Sequence, residues 1–190
     1  MQISEPAEYV ILGLLDTRPM HGYEMFQLVE NGTLGQIIHL EMSQMYAFLK
    51  KLERLQYIEA EISTQGPRPP RKIFHLTVTG RNIFIDWIAQ PVEKPRDIRI
   101  LFLIKLYFAQ HLRPEQMSSL IQRQIQACQQ FLTHLQTKKG ATILQTADAT
   151  FFDQVVLSSR LYQTRSLLEW LHELQAEINI SDEEVQNQPR

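Results

Sequence analysis

Residues 42–76 read MSQMYAFLKKLERLQYIEAEISTQGPRPPRKIFHL, and the changes of period inside this stretch decide the fold. Apolar Met45, Phe48, Leu49, Leu52 and Leu55 recur in steps of three and four, which predicts an amphipathic helix over 42–56 with Gln44, Lys50, Lys51 and Arg54 off its buried stripe. From Tyr57 to Ser63 apolar and polar residues alternate with period two, which predicts a strand. Gln65-Gly66-Pro67-Arg68-Pro69-Pro70 can continue neither helix nor central strand. Arg71-Lys72-Ile73-Phe74-His75-Leu76 is then the returning strand.

Working outward, residues 8–15 (EYVILGLL) predict a short buried helix bounded by Asp16-Thr17-Arg18-Pro19. Gly13 within it costs about 1 kcal/mol against alanine, so close packing is its expected reason. His21-Gly22-Tyr23 opens a second helix through Met25, Phe26, Leu28 and Val29, with a left-handed cap expected at Asn31-Gly32. A fourth helix follows from 77–80 to Ala89 through Ile83, Phe84, Trp87 and Ile88. Three helices, a hairpin and a closing helix make a winged helix-turn-helix over 1–90. The class is mainly α.

Residues 91–96, with two prolines and no periodicity, form the expected linker. Residues 97–180 are expected to be helical throughout. One helix covers 96–110. A second begins near Pro114 and is expected to stop at Lys139-Gly140, with Ile121, Ile125, Cys128, Leu132 and Leu135 as a coiled-coil-like seam. A last helix over 149–178 would span about 45 Å at 1.5 Å per residue. Its stripe of Leu157, Leu161, Leu168, Leu171, Leu174 and Ile178 needs a partner, and a second copy of the chain is the simplest one. The polar residues 181–190 are expected to be a disordered tail.

Net charge is −2, so the chain as a whole does not advertise nucleic acid. Charge is nevertheless uneven: between Lys50 and Arg81 seven basic residues face three acidic ones. In a helix-turn-helix the third helix enters the major groove by its N-terminal end. That makes Ser43, Gln44 and Tyr46 the candidate base readers, Gln44 because a carboxamide can pair bidentately with adenine. Lys50, Lys51, Arg68, Arg71 and Lys72 are candidate phosphate contacts, and His21 and Tyr23 lie at the start of the preceding helix. Tyr23 and Tyr46 could equally be packing residues, and His21 a helix cap. A winged helix used only for protein contact is the competing reading.

Other classes find little support. No glycine-rich phosphate cradle is present, and the six histidines form no HxxxH pair, so neither enzyme nor metal protein is expected, and no cofactor. One cysteine excludes an internal disulfide. The N-terminus has no signal-peptide pattern and no apolar run reaches membrane-spanning length, which fits a cytoplasmic location and no membrane partner.

Leu12-Gly13-Leu14-Leu15 with Met20-His21-Gly22-Tyr23-Glu24 resembles the opening of the PadR-like transcription regulators. Met45-Tyr46-Ala47-Phe48-Leu49-Lys50-Lys51-Leu52-Glu53 resembles that family's recognition helix, and Pro69 to Thr77 with Gly80-Arg81 its wing. Arg96-Asp97, Leu103 to Phe108 and Leu168-Glu169-Trp170-Leu171 are similar to the helical C-terminal domain of its longer subgroup, which includes virulence-gene activators. The resemblance implies a homodimer joined through that helical domain, with Leu103, Tyr107 and Trp170 beside the leucine stripe. It implies two winged helices presented to a palindromic operator on double-stranded DNA. Repression is the commoner family role, activation the alternative. Several members respond to phenolic acids or drugs, and Trp87 or Trp170 is the candidate lining for such an effector pocket. Three positions depart from the pattern. Ala47 replaces a proline, Glu41 stands near a usual serine, and Gln56 replaces the glycine after the recognition helix, so a different turn into the wing is expected there.

Overall fold

The computed structural model describes residues 3–63, 71–145 and 151–186. The first helix, α1 (Pro6–Thr17), starts with proline in its first turn and a reciprocal capping box between Glu5 and Glu8. It buries Val10, Ile11, Leu12, Leu14 and Leu15, so it runs through the core rather than over it. A Cβ on Gly13 would stand 2.5 Å from the Phe108 ring, which is the close packing that the sequence implied.

The strand β1 (Met20–His21) leads into α2 (Gly22–Asn31). Helix α2 ends at Gly32 in extended backbone, φ −105°, and not in the expected left-handed cap. A 3₁₀ turn over Thr33–Gln36 follows, burying Leu34. Helix α3 (Met42–Arg54) buries Met45, Leu49 and Leu52 of the expected stripe, while Phe48 and Leu55 are half-buried.

Helix α3 ends in a Schellman motif. The Tyr57 amide donates to the Leu52 carbonyl and the Gln56 amide to that of Glu53, each at 3.0 Å. Gln56 itself has φ 58°, the left-handed conformation that favours glycine. The glycine turn is therefore kept although the glycine is not, which corrects the expectation of a different turn.

The wing strands are β2 (Ile58–Ser63) and β3 (Arg71–Leu76), antiparallel with Ala60 opposite Phe74 and Ser63 opposite Arg71. The sheet order is β1-β3-β2, so a two-residue strand too short to show a period completes it. Helix α4 (Val78–Ala89) is capped by Thr77, whose Oγ1 accepts the Gly80 amide at 3.0 Å.

Beyond α4 the chain does not form the single helix expected over 96–110. It makes a 3₁₀ turn at Pro95–Asp97 and a π turn at Ile98–Phe102 before α5 (Leu103–Leu112). Two compact units result: Met1–Ala89 with Arg99–Pro114, and Gln90–Ile98 with Glu115–Arg190. In the first, Phe108 on α5 meets Phe84 edge-on at 5.4 Å, and Trp87 stacks on Tyr9 at 4.0 Å. The buried Lys105 ammonium lies 4.4 Å from the Trp87 ring centre and donates to the Trp87 carbonyl.

In the second unit, α6 (Met117–Gln145) and α7 (Phe151–Gln186) pack on each other. Helix α6 continues through Gly140 instead of stopping there. Of its expected seam Ile121, Ile125, Cys128 and Leu135 are buried. Burial pushes the Cys128 thiol up, which keeps it a neutral packing group. Residues 90–98 are tied down: the buried Gln124 carboxamide accepts the Val92 amide at 2.7 Å and donates to its carbonyl at 2.9 Å. No described helix is long and apolar enough to cross a membrane.

Candidate nucleic-acid interface

Helix α3 is presented by two fixed points. At its start Glu41 and Gln44 form a capping box, the Gln44 Oε1 accepting the Glu41 amide at 3.0 Å. The Glu41 carboxylate also holds His39 Nε2 at 2.8 Å, so this departure from the family pattern serves the helix end. On its far side Lys51 Nζ stands 2.6 Å from Glu8 Oε1, whose side chain is fully buried. The other carboxylate oxygen, Oε2, accepts the amides of Ser4 and Glu5 at 2.9 and 3.2 Å.

The helix-turn-helix is tight. A Cβ on Gly22 would lie 2.9 Å from Leu49 Cδ1 and 3.0 Å from the Tyr46 ring, so the start of α2 sits directly against α3. His21 is held by the wing. Its Nδ1 lies 2.8 Å from the Lys72 carbonyl, and since a carbonyl only accepts, Nδ1 carries the proton. The ring is thus held by the wing and is not a helix cap.

Between α2, α3 and β3 lies a cleft of about 960 Å³. It brings together His21, Tyr23, Tyr46, Lys50, Arg71 and Lys72 from three separate stretches of sequence. Tyr23 and Tyr46 are 59% and 49% exposed, which weighs against the packing reading of both. Lys50, Arg71 and Lys72 are exposed around them. Two acids also line the cleft. Glu53 stands 3.4 Å from Lys72 Nζ, and Glu24 accepts Arg18 at 2.5 Å, a hydrogen bond that holds the Glu24 carboxyl below its usual range. Neither acid was expected; Glu53 inside a basic run was the available signal.

Other expected residues stand elsewhere. Ser43 is exposed at the start of α3, beside Ala47, which reasoning from residue type had passed over. Gln44 is exposed too, but a bidentate edge towards adenine would cost it the capping bond. Lys51 is committed to Glu8 rather than to the cleft, and Arg81, counted in the basic excess, holds Asp16 at 2.9 Å. Arg68 lies outside the described residues.

The expected self-association residues divide in the same way. Leu161, Leu168 and Leu171 are already buried inside the second unit, while Leu157, Trp170 and Leu174 are half-buried. The exposed large apolar residues of α7 are instead Phe151, Phe152, Val155, Val156 and Tyr162, with Ile180 further along. In the first unit Leu103 and Tyr107 are half-buried, and Tyr107 packs on Phe108 and His111. Trp87 is closed in by Tyr9 and Lys105.

Comparison with known proteins bears on the family of the chain. The profile of the transcriptional regulator PadR-like family matches residues 11–85, and that of the virulence activator alpha C-term matches residues 98–179. The negative transcriptional regulator PadR of Bacillus subtilis is 28% identical over 177 residues, 90% of this chain and 97% of that protein. Among solved structures, Bacillus subtilis PadR in complex with operator DNA is 26% identical with a TM-score of 0.46, over 92% of this chain and 99% of the other. The same protein in complex with p-coumaric acid gives 25%, 0.41, 92% and 99%.

Proposed function

The chain belongs to the PadR-like family of transcriptional regulators, and from that premise we propose that it is a homodimeric repressor acting on a palindromic operator. The observation that carries the reading is the cleft, where two exposed tyrosines and three exposed cations flank the open face of a helix-turn-helix. The cations suit phosphates, and Ser43, Tyr46 and Ala47 on the exposed side of α3 suit base edges. Repression follows the 28% identical relative, itself a negative regulator. The C-terminal match to an activator profile favours activation as the second reading.

A second copy of the chain is the proposed cover for the apolar surface of α7 around Phe152 and Tyr162. The protein acts in the cytoplasm, has no catalytic role and takes a small-molecule effector, as the p-coumaric acid complex of the Bacillus relative suggests. The test is a mobility shift on the DNA upstream of its own gene. A folded dimer shifts that fragment at about 100 mM salt, and Arg71→Ala weakens the shift across sequences and flattens its salt dependence. Absence of any shift overturns the proposal. A reporter fused to the same DNA separates the two signs, since deleting the gene raises its output under repression and lowers it under activation.

A further inference from the structure

Helix α3 is held on two flanks. On one, a Cβ at Gly22 would meet Leu49 and Tyr46 at 2.9 and 3.0 Å, so α2 leans directly against it. On the other stands Lys51, about 140° round the helix from Tyr46 at roughly 100° per residue. Its ammonium reaches the wholly buried Glu8 of α1 at 2.6 Å.

The second hold has a fixed geometry. Glu8 Oε2 accepts the amides of Ser4 and Glu5 at 2.9 and 3.2 Å, and Lys51 Nζ donates to the Ser4 hydroxyl at 3.2 Å. Carboxylate and ammonium are thus both tied to α1 and the residues before it. A buried ion pair adds little net stability over an apolar substitute, since desolvating two charges offsets their attraction. What it adds is direction. The buried stripe of Met45, Leu49 and Leu52 is held by burial, which is non-directional, and methionine adapts its shape to its neighbours. A charge-assisted contact to a carboxylate already fixed by two amides accepts a much narrower set of geometries.

Direction matters on the opposite face, where Ser43, Tyr46 and Ala47 are exposed. Turning α3 by about 20° carries side-chain tips about 5–6 Å from its axis through about 2 Å. Long lysine and arginine side chains can follow a phosphate through such a shift. Hydrogen bonds and methyl contacts to base edges cannot, and those contacts carry the sequence information.

We propose that the Glu8–Lys51 pair is a positioning device for sequence discrimination: it fixes the rotation of α3, and so the register in which Ser43, Tyr46 and Ala47 meet base edges, while Lys51 itself touches no phosphate. The proposal rests on the DNA-binding reading above.

The full-length parent, Lys51→Met and Lys51→Met/Glu8→Gln are titrated by fluorescence anisotropy with the upstream fragment and with a duplex of equal length and scrambled sequence. Salt is varied, and the temperature is one at which circular dichroism shows all three folded. Lys51→Met lowers affinity for the upstream fragment by about tenfold or more, the order of one lost base contact. It leaves the scrambled duplex within about twofold and keeps the salt slope. The double variant regains stability, because no charge is stranded, but not discrimination, because no pair orients the helix. A merely structural role would restore both together. The proposal is overturned if the two affinities fall in parallel, if the salt slope of Lys51→Met drops by about one contact, or if the double variant recovers discrimination. A parent that does not distinguish the two duplexes overturns the DNA-binding reading and this proposal with it. A parent that does, with variants that distinguish them equally well, overturns this proposal alone.

Discussion

Replacing Lys51 by Met leaves the Glu8 carboxylate buried without its cation. Lys51 Nζ and Glu8 Oε1 are 2.6 Å apart, with side-chain exposures of 21% and 0%. Removing one partner of a buried pair costs about 3–5 kcal/mol, because the remaining charge is uncompensated. Here Glu8 Oε2 keeps its two backbone amides, which places the loss near the lower end, about 3 kcal/mol. For a chain of this size that is a fall in Tm of roughly 6–12 °C. Glu8→Gln in the Lys51→Met background removes the stranded charge while a carbonyl oxygen can still accept the amides, so it restores much of the loss. Thermal unfolding of the four proteins gives a coupling of about 2 kcal/mol. The same variants separate packing from DNA contact. Lys51→Met keeps the salt slope of operator binding, whereas Arg71→Ala lowers it by about one phosphate contact. A Lys51→Met protein that melts within about 1 °C of the parent while its salt slope falls would refute this and return Lys51 to the DNA interface.

Three further outcomes follow from local geometry. Gln56→Gly relieves a left-handed side-chain residue and stabilises the protein by about 1 kcal/mol, read by urea unfolding. Gly13→Ala drives a methyl into the fully buried Phe108 ring and costs about 1–3 kcal/mol in the same assay. Burial pushes the Lys105 ammonium from 10.5 down to about 8, so between those pH values the unfolded chain holds a proton that the folded one has released. Stability attributable to Lys105 therefore rises with pH across that window, by about 2–3 kcal/mol. Lys105→Met abolishes this rise, and the Tm difference between parent and variant measured at pH 7 and at pH 10 reports it.

What could be read in advance follows from the range of the interactions. The α3 stripe and the returning strand Arg71–Leu76 are local and periodic, and they stand as read. Strand β1 spans two residues and exists only through its pairing with β3 across more than fifty positions of chain, so no window shows it. The pairing of Lys51 with Glu8 is equally remote, and off-stripe position alone made Lys51 look like a phosphate contact. The capping role of Gln44 was legible: a carboxamide three residues after Glu41 at a helix start has the spacing of a capping box. The apolar periodicity of α7 shows a face that needs cover but not what covers it: Leu161, Leu168 and Leu171 are buried within the same chain, where α7 packs on α6, and different residues are left exposed. The break between the π turn Ile98–Phe102 and α5 leaves no trace in apolar periodicity, since both segments are rich in apolar residues.

The central claim is that two copies of this winged helix read one symmetric site. Hydroxyl-radical footprinting of the upstream DNA, with the complex sized by light scattering, tests it directly. Two equivalent protected patches related by a dyad, with centres about 34 Å or a multiple of that apart, bound by two chains, are the predicted result. A single unsymmetrical patch bound by one chain, or no protection at all, would contradict it.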